Sequence, residues 1–136
     1  IGKLAVAIGF VEHANGIEHQ NPGFGGLLGV GLGAFGAHAL KARLSLDMLA
    51  IFETGVRYQM YHALALLGTG ILAVIHPHRL LTTAGWLFVL GMVIFSGSLY
   101  ILSLSGVKMW GAVTPLGGLA FLAAWLCLAM GISRPV

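Results

Sequence analysis

Two histidines stand among apolar residues: His38 near the end of one apolar segment and His62 inside the next. Ionisable groups inside a membrane are candidates for function, and two opposed imidazoles can hold a haem iron from both sides. If the two segments form an antiparallel hairpin, His38 and His62 fall at similar depth and face each other, an arrangement that would also suit a quinone headgroup. The plainer reading is a neutral imidazole bonded to a carbonyl, a tyrosine or a glutamine. Beside His62 lies a polar patch of Glu53, Arg57, Tyr58, Gln59 and Tyr61. Glu53 and Arg57 are spaced i, i+4 with the acid first, the order that favours pairing along one helix face. On an open face such a pair merely solvates the helix. Under a protein cover it becomes a buried, hydrogen-bonded element that fixes one helix against a neighbour. The patch as a whole can also take a lipid headgroup or a quinone, or line a wet cleft for permeation or lipid handling. Glu12, His13, Glu18 and His19 are of metal-ligating type, but the Asn15-Gly16 turn between them leaves their geometry undefined, and no metal is expected.

Absences narrow the chemistry further. Residues 24–40, 80–104 and 114–132 contain no Asp, Glu, Lys or Arg, whereas a proton-coupled carrier needs a titrating group well inside the membrane. There is no Ser-His-Asp set, no paired-carboxylate site, no phosphate-cradling lysine loop and no His/Cys cluster with zinc spacing. The chain therefore reads as non-enzymatic, with no catalytic residues and no cofactor expected outside the haem or quinone alternative.

The elements that must position these groups follow from composition. Seven Lys/Arg and four Asp/Glu in 136 residues are far below the roughly one charged residue in four of a soluble domain. With 58% apolar residues, 21 glycines and a mean hydropathy of +0.95, the main solvent is lipid. Disorder is excluded by the hydropathy, and a nucleic-acid partner by the scatter of the seven basic residues. Residues 1–23 read as an N-terminal interfacial segment and loop, with turn signals at Asn15-Gly16 and Asn21-Pro22-Gly23. Residues 24–136 read as an all-α domain of four transmembrane helices.

The first span covers 24–40, short for a bilayer at about 1.5 Å per residue, and is followed by Lys41 and Arg43. The second starts after Ser45, a good N-cap, with Asp47 in the first turn, and ends near Ile75 before Pro77. Its first half is amphipathic, with Leu49, Phe52, Val56 and Met60 on one face, and reads as an interfacial start. The third covers 80–104 between Arg79 and Lys108; the fourth starts at Thr114-Pro115, a cap followed by a proline at the first helical position, and runs to about 132. Lys3, Arg79 and Arg134 fall on one side against Lys41, Arg43, Arg57 and Lys108 on the other, so the positive-inside margin of one charge leaves orientation open.

Gly25, Gly29, Gly33 and Ala37 recur every four residues in the first span, and Gly117, Ala120 and Ala124 form a weaker stripe in the fourth. Small residues at that spacing let helix backbones approach closely. Ser96, Ser98 and Tyr100 add groups that can hydrogen-bond between helices.

The words GAFGAHALK (33–41), ETGVRYQMYHALALL (53–67), FSGSLY (95–100) and TPLGGLAFL (114–122), in that order, resemble the YgdD family of small bacterial inner-membrane proteins, a group of unknown function with relatives among small mitochondrial transmembrane proteins. The resemblance runs over about residues 28–128. It implies a compact helical protein of the bacterial inner membrane and carries no biochemical activity with it. Family-typical polar positions here are His38, Glu53, Arg57, Tyr58, Gln59, His62, Ser96, Ser98, Tyr100 and Thr114. The stretch EHANGIEHQNPG departs from the family, whose members enter the first helix after a short basic start. The function expected is that of a non-catalytic packing protein, either a homo-oligomer or an accessory subunit of a larger respiratory or photosynthetic complex. Its expected partners are membrane lipids, other membrane subunits or itself.

Overall fold

A computed structural model describes residues 22–133, which form four helices and no strand. The interfacial segment expected in residues 1–21, with Glu12, His13, Glu18 and His19, lies outside the described residues. Helix α1 spans Pro22–Phe35 and closes in a π-helical turn, Gly36–Leu40. Pro22 and Gly23, expected in a turn, are already helical, as proline is tolerated in a first turn where its missing N–H has no partner to lose.

Helix α2 spans Leu46–Ile75. The Ser45 side chain accepts from the Met48 amide at 3.3 Å, the capping bond expected from sequence, and the helix stops before Pro77. Helix α3 spans Arg79–Ser105 and ends at Gly106, whose φ of 71° is the left-handed cap that glycine adopts without a Cβ clash.

Helix α4 spans Trp110–Ile132, one turn earlier than the Thr114-Pro115 start expected. The amides of Trp110, Gly111 and Ala112 bond to the carbonyls of Val107, Lys108 and Met109, so a tight lead-in turn nucleates the helix ahead of the proline. Thr114 is then free of capping duty, and its hydroxyl donates back to the Trp110 carbonyl.

Helices α2, α3 and α4 are each long and apolar enough to cross a membrane; the apolar stretch 25–40 is shorter. The helices pack in chain order as antiparallel neighbours, with α3 between α2 and α4, α1 attached to α2, and α2 meeting α4 through side chains more than through close backbone approach. One cluster, with Leu66, Leu81, Phe88, Phe121 and Leu128, ties α2, α3 and α4 together; another, Leu40, Leu49 and Phe52, seats the end of α1 on α2.

Lipid tails are as apolar as leucine, so helices adhere by close packing and interhelical hydrogen bonds instead of by expulsion of water. Glycine supplies the closeness. Gly25 lies against Ala63, Gly29 against Met60, Gly33 against Val56 and Gly36 against Phe52. Gly36 joins the stripe, because a position three or four residues on returns to the same helix face; the side chain of Ala37, the expected fourth member, lies outside the described residues. In α4 the buried stripe is Gly117, Phe121, Ala124, Leu128 and Gly131, with Ala120 half-buried beside it. A Cβ on Gly117 would lie 2.7 Å from the Cα of Phe95, which is backbone and cannot rotate away. Gly117→Ala is therefore expected to force α3 and α4 apart and destabilise the fold by about 1–3 kcal/mol. Gly97→Ala, where a Cβ meets nothing within 4 Å, should not lower stability. Thermal unfolding in detergent, followed by circular dichroism, checks both; equal loss in the two variants would overturn the assignment.

Candidate functional site

The polar residues of the middle of the bundle form a set of links between helices. Gln59, on the buried face of α2, is the hub: its Nε2 donates to the Gly25 carbonyl of α1 at 2.9 Å, and its Oε1 accepts from the Tyr100 hydroxyl of α3 at 2.8 Å. One amide thereby joins three helices. Four residues earlier, the carbonyl of Gly55 accepts from the Ser96 hydroxyl at 2.8 Å, in a contact fully enclosed by protein. Gly55 is small because Tyr100 lies over it: a Cβ there would stand 2.8 Å from the tyrosine ring, which itself packs on Phe52 with centroids 5.0 Å apart. Between α3 and α4 the hydroxyls of Ser98 and Thr114 meet at 2.7 Å.

His62 completes the set. Its Nδ1 donates to the Tyr58 carbonyl at 2.7 Å, since a carbonyl can only accept. That leaves Nε2 as the acceptor, and the indole N–H of Trp125 points at it from 3.4 Å. The ring lies flat on Phe121, with centroids 3.4 Å apart and planes 5° from parallel, and Phe88 flanks it at 5.8 Å. Phe121 reaches this position by packing over Gly91, where any Cβ would collide with its ring. Tyr58 stacks on Phe95 at 4.6 Å, and Tyr61 stands 6.2 Å from Tyr58 on the outer side. The aromatic wall of α2, α3 and α4 is thus continuous around one neutral imidazole.

The structure brings Gln59, Tyr100, Ser96, Ser98, Thr114 and His62 into these links. It does not bring His38 to His62. With Gly25 against Ala63 and Gly36 against Phe52, His38 stands near the start of α2, and the two histidines are separated by about 17 Å along the helix axes at 1.5 Å per residue. His38 is exposed, and both nitrogens of His62 are engaged, so an iron at Nε2 would have to displace Trp125. Glu53 and Arg57 are exposed on the outer face of α2, and no ion pair joins them. Trp125, Phe121 and Phe88 were not signalled as partners of His62 by sequence. The available signal was the depth of Trp125: an indole N–H inside a membrane requires an acceptor.

An all-helical bundle with long apolar helices and cross-bonded interior polar groups defines a multi-pass membrane protein. The family model described as "Protein of unknown function (DUF423)" matches residues 32–118. The UPF0382 membrane protein YwdK of Bacillus subtilis is 50% identical over 105 residues, 76% of this chain and 85% of the relative. The UPF0382 membrane protein SH2409 of Staphylococcus haemolyticus is 48% identical over 102 residues, 75% of this chain and 83% of the relative. The UPF0382 inner membrane protein YgdD of Escherichia coli is 44% identical over 112 residues, 80% of this chain and 83% of the relative. The chain belongs to this family of inner-membrane proteins of unknown function, in agreement with the resemblance carried by its four sequence words. No solved structure matches it.

Replacing the hub tests the reading of the links as adhesion. Gln59→Leu removes two interhelical hydrogen bonds, each worth about 0.6–2 kcal/mol in membranes, so a loss of about 1–3 kcal/mol is expected. Tyr100→Phe should cost less and add little to Gln59→Leu. Unfolding of both single variants and the double variant in detergent gives the coupling; full additivity would show that Tyr100 and Gln59 do not act together.

Proposed function

We propose that this chain is a non-catalytic packing protein of the bacterial membrane, working as a homo-oligomer or as an accessory subunit of a larger membrane complex. The observation that carries the reading is the use made of its interior polar groups. Among the described residues, every buried side-chain nitrogen and oxygen has a hydrogen-bond partner. The positions most suggestive of chemistry in the sequence, Gln59, His62, Ser96, Ser98, Tyr100 and Thr114, are spent on holding helices together. A site that binds a substrate or transfers a proton keeps donors or acceptors for its ligand, and these groups bind one another. The outer surfaces of α3 and α4 carry Leu90, Val93, Leu116, Leu119 and Leu122, suited to lipid or to neighbouring helices.

Gentle detergent extraction followed by native mass measurement tests the proposal. The chain is expected to run with copies of itself or with other membrane subunits. A strictly monomeric chain with nothing bound but lipid would overturn it. An absorption spectrum of the same sample separates it from a haem carrier, because a Soret band would return His62 to the role of ligand.

A further inference from the structure

The outer face of α2 carries Glu53 and Arg57 at a level where the outward faces of α3 and α4 are apolar. Depth is read from side-chain contacts. Tyr58, next to Arg57, stacks on Phe95 of α3, and Phe95 packs against Gly117 of α4. On either side of Gly117, Leu116 and Leu119 point outward, 59% and 62% exposed. Phe52, next to Glu53, packs at a tilt against Tyr100, whose neighbour Ile101 is 42% exposed. Arg57 lies about 16 Å along α2 from its first residue and Glu53 about 10 Å, at 1.5 Å per residue. If α2 spans the bilayer from its first residue, both positions fall below the headgroup layer of a membrane whose hydrocarbon is about 30 Å of a total of about 40–45 Å, deeper than the interfacial start expected from the sequence. Between Arg57 and Ser133 the other cations are Arg79 and Lys108, both at helix ends, and no further carboxylate occurs. Charges in hydrocarbon require a partner, and these two have none within the described chain.

We propose that a second copy of this chain covers this face, with the two α2 helices side by side and parallel about a two-fold axis, so that Glu53 of each protomer pairs with the partner's Arg57. The proposal rests on the reading of the chain as a packing protein and names its partner. Three observations select a second copy. The acid and the base are one turn apart on a single face, so a two-fold axis generates two reciprocal ion pairs and neutralises all four charges without any other protein. Ala50, Arg57, Leu64 and Ile71 form a seven-residue repeat of outward positions, the spacing at which parallel helices stay in contact. Gly68 on the same face has nothing within 4 Å of where its Cβ would be, which leaves room for a neighbouring backbone.

The test uses the full chain, expressed in two differently tagged copies and captured from mild detergent. Wild-type copies should capture each other, and Leu64→Cys in a Cys127→Ala background should form an intermolecular disulfide while Val93→Cys, on the outer face of α3, should not. Glu53→Arg alone and Arg57→Glu alone place like charges together, and each should reduce self-capture at least tenfold. Mixed with each other they oppose two cations to two anions, and capture should return to within twofold of wild type. That recovery also shows that both variants fold. Self-capture of each single variant at the wild-type level, or no gain on mixing, overturns the proposal, as does a wild-type chain that binds only a lipid headgroup or an unrelated subunit. Capture of unrelated subunits without self-capture removes the dimer and leaves the packing function standing; monomers with no partner remove both. Should the reversed variants be lost from the membrane, Glu53→Gln and Arg57→Gln replace them, and undiminished self-capture in both overturns the pairing.

Discussion

The constraint on which the structure depends is that in hydrocarbon nothing pushes helices together except contact itself. Close approach is therefore decided where side chains vanish. At Gly117 the backbone of α4 comes so near the backbone of α3 at Phe95 that no side chain fits between them. Gly91 does the reverse, receiving Phe121 from α4, and Gly131 receives Leu81. A glycine on one helix and a large ring or leucine on the other recur along the whole α3–α4 seam, and dispersion contacts over that length replace the hydrophobic drive that water would supply.

Short separations make the polar links possible. The amide of Gln59 reaches a carbonyl of α1 and a hydroxyl of α3 at once because Gly25 and Gly55 let both helices come close to α2. In lipid an unmet donor or acceptor costs several kcal/mol, so each link is both adhesive and selective: another rotation of α2 would strand Gln59 and His62 among tails. His62 illustrates how completely the interior is matched, with a carbonyl for one nitrogen, an indole N–H for the other and a phenyl ring under its face.

Against this economy the outer face of α2 stands apart. Among the described residues, every buried side-chain nitrogen and oxygen is answered within the chain, while Glu53 and Arg57 point away from the interior. The same sequence word, ETGVRYQMYHA, thus supplies an inward face that closes the bundle through Gly55, Gln59 and His62 and an outward face that is open to a neighbour.

Much of the fold was legible in the residues. Ser45, Asp47 and Pro77 mark the limits of α2, Arg79 and Lys108 bracket α3, and the Gly25, Gly29, Gly33 spacing identifies a close-packing face of α1, because capping, proline geometry and small-residue periodicity are local properties. The start of α4 is not marked by Thr114-Pro115, since a lead-in turn through Val107 to Met109 nucleates the helix earlier and gives Thr114 a partner on α3 instead of a capping role. The sequence by itself determined a charge-poor chain of apolar helices and the residue types able to join them. Only the tertiary structure decided which residues meet: Gln59 with Tyr100, 41 positions away, and His62 with Trp125, 63 positions away, and not His62 with His38. The reason is that axial register between helices depends on which ring settles over which glycine, a matter of three-dimensional fit that no spacing along one chain expresses.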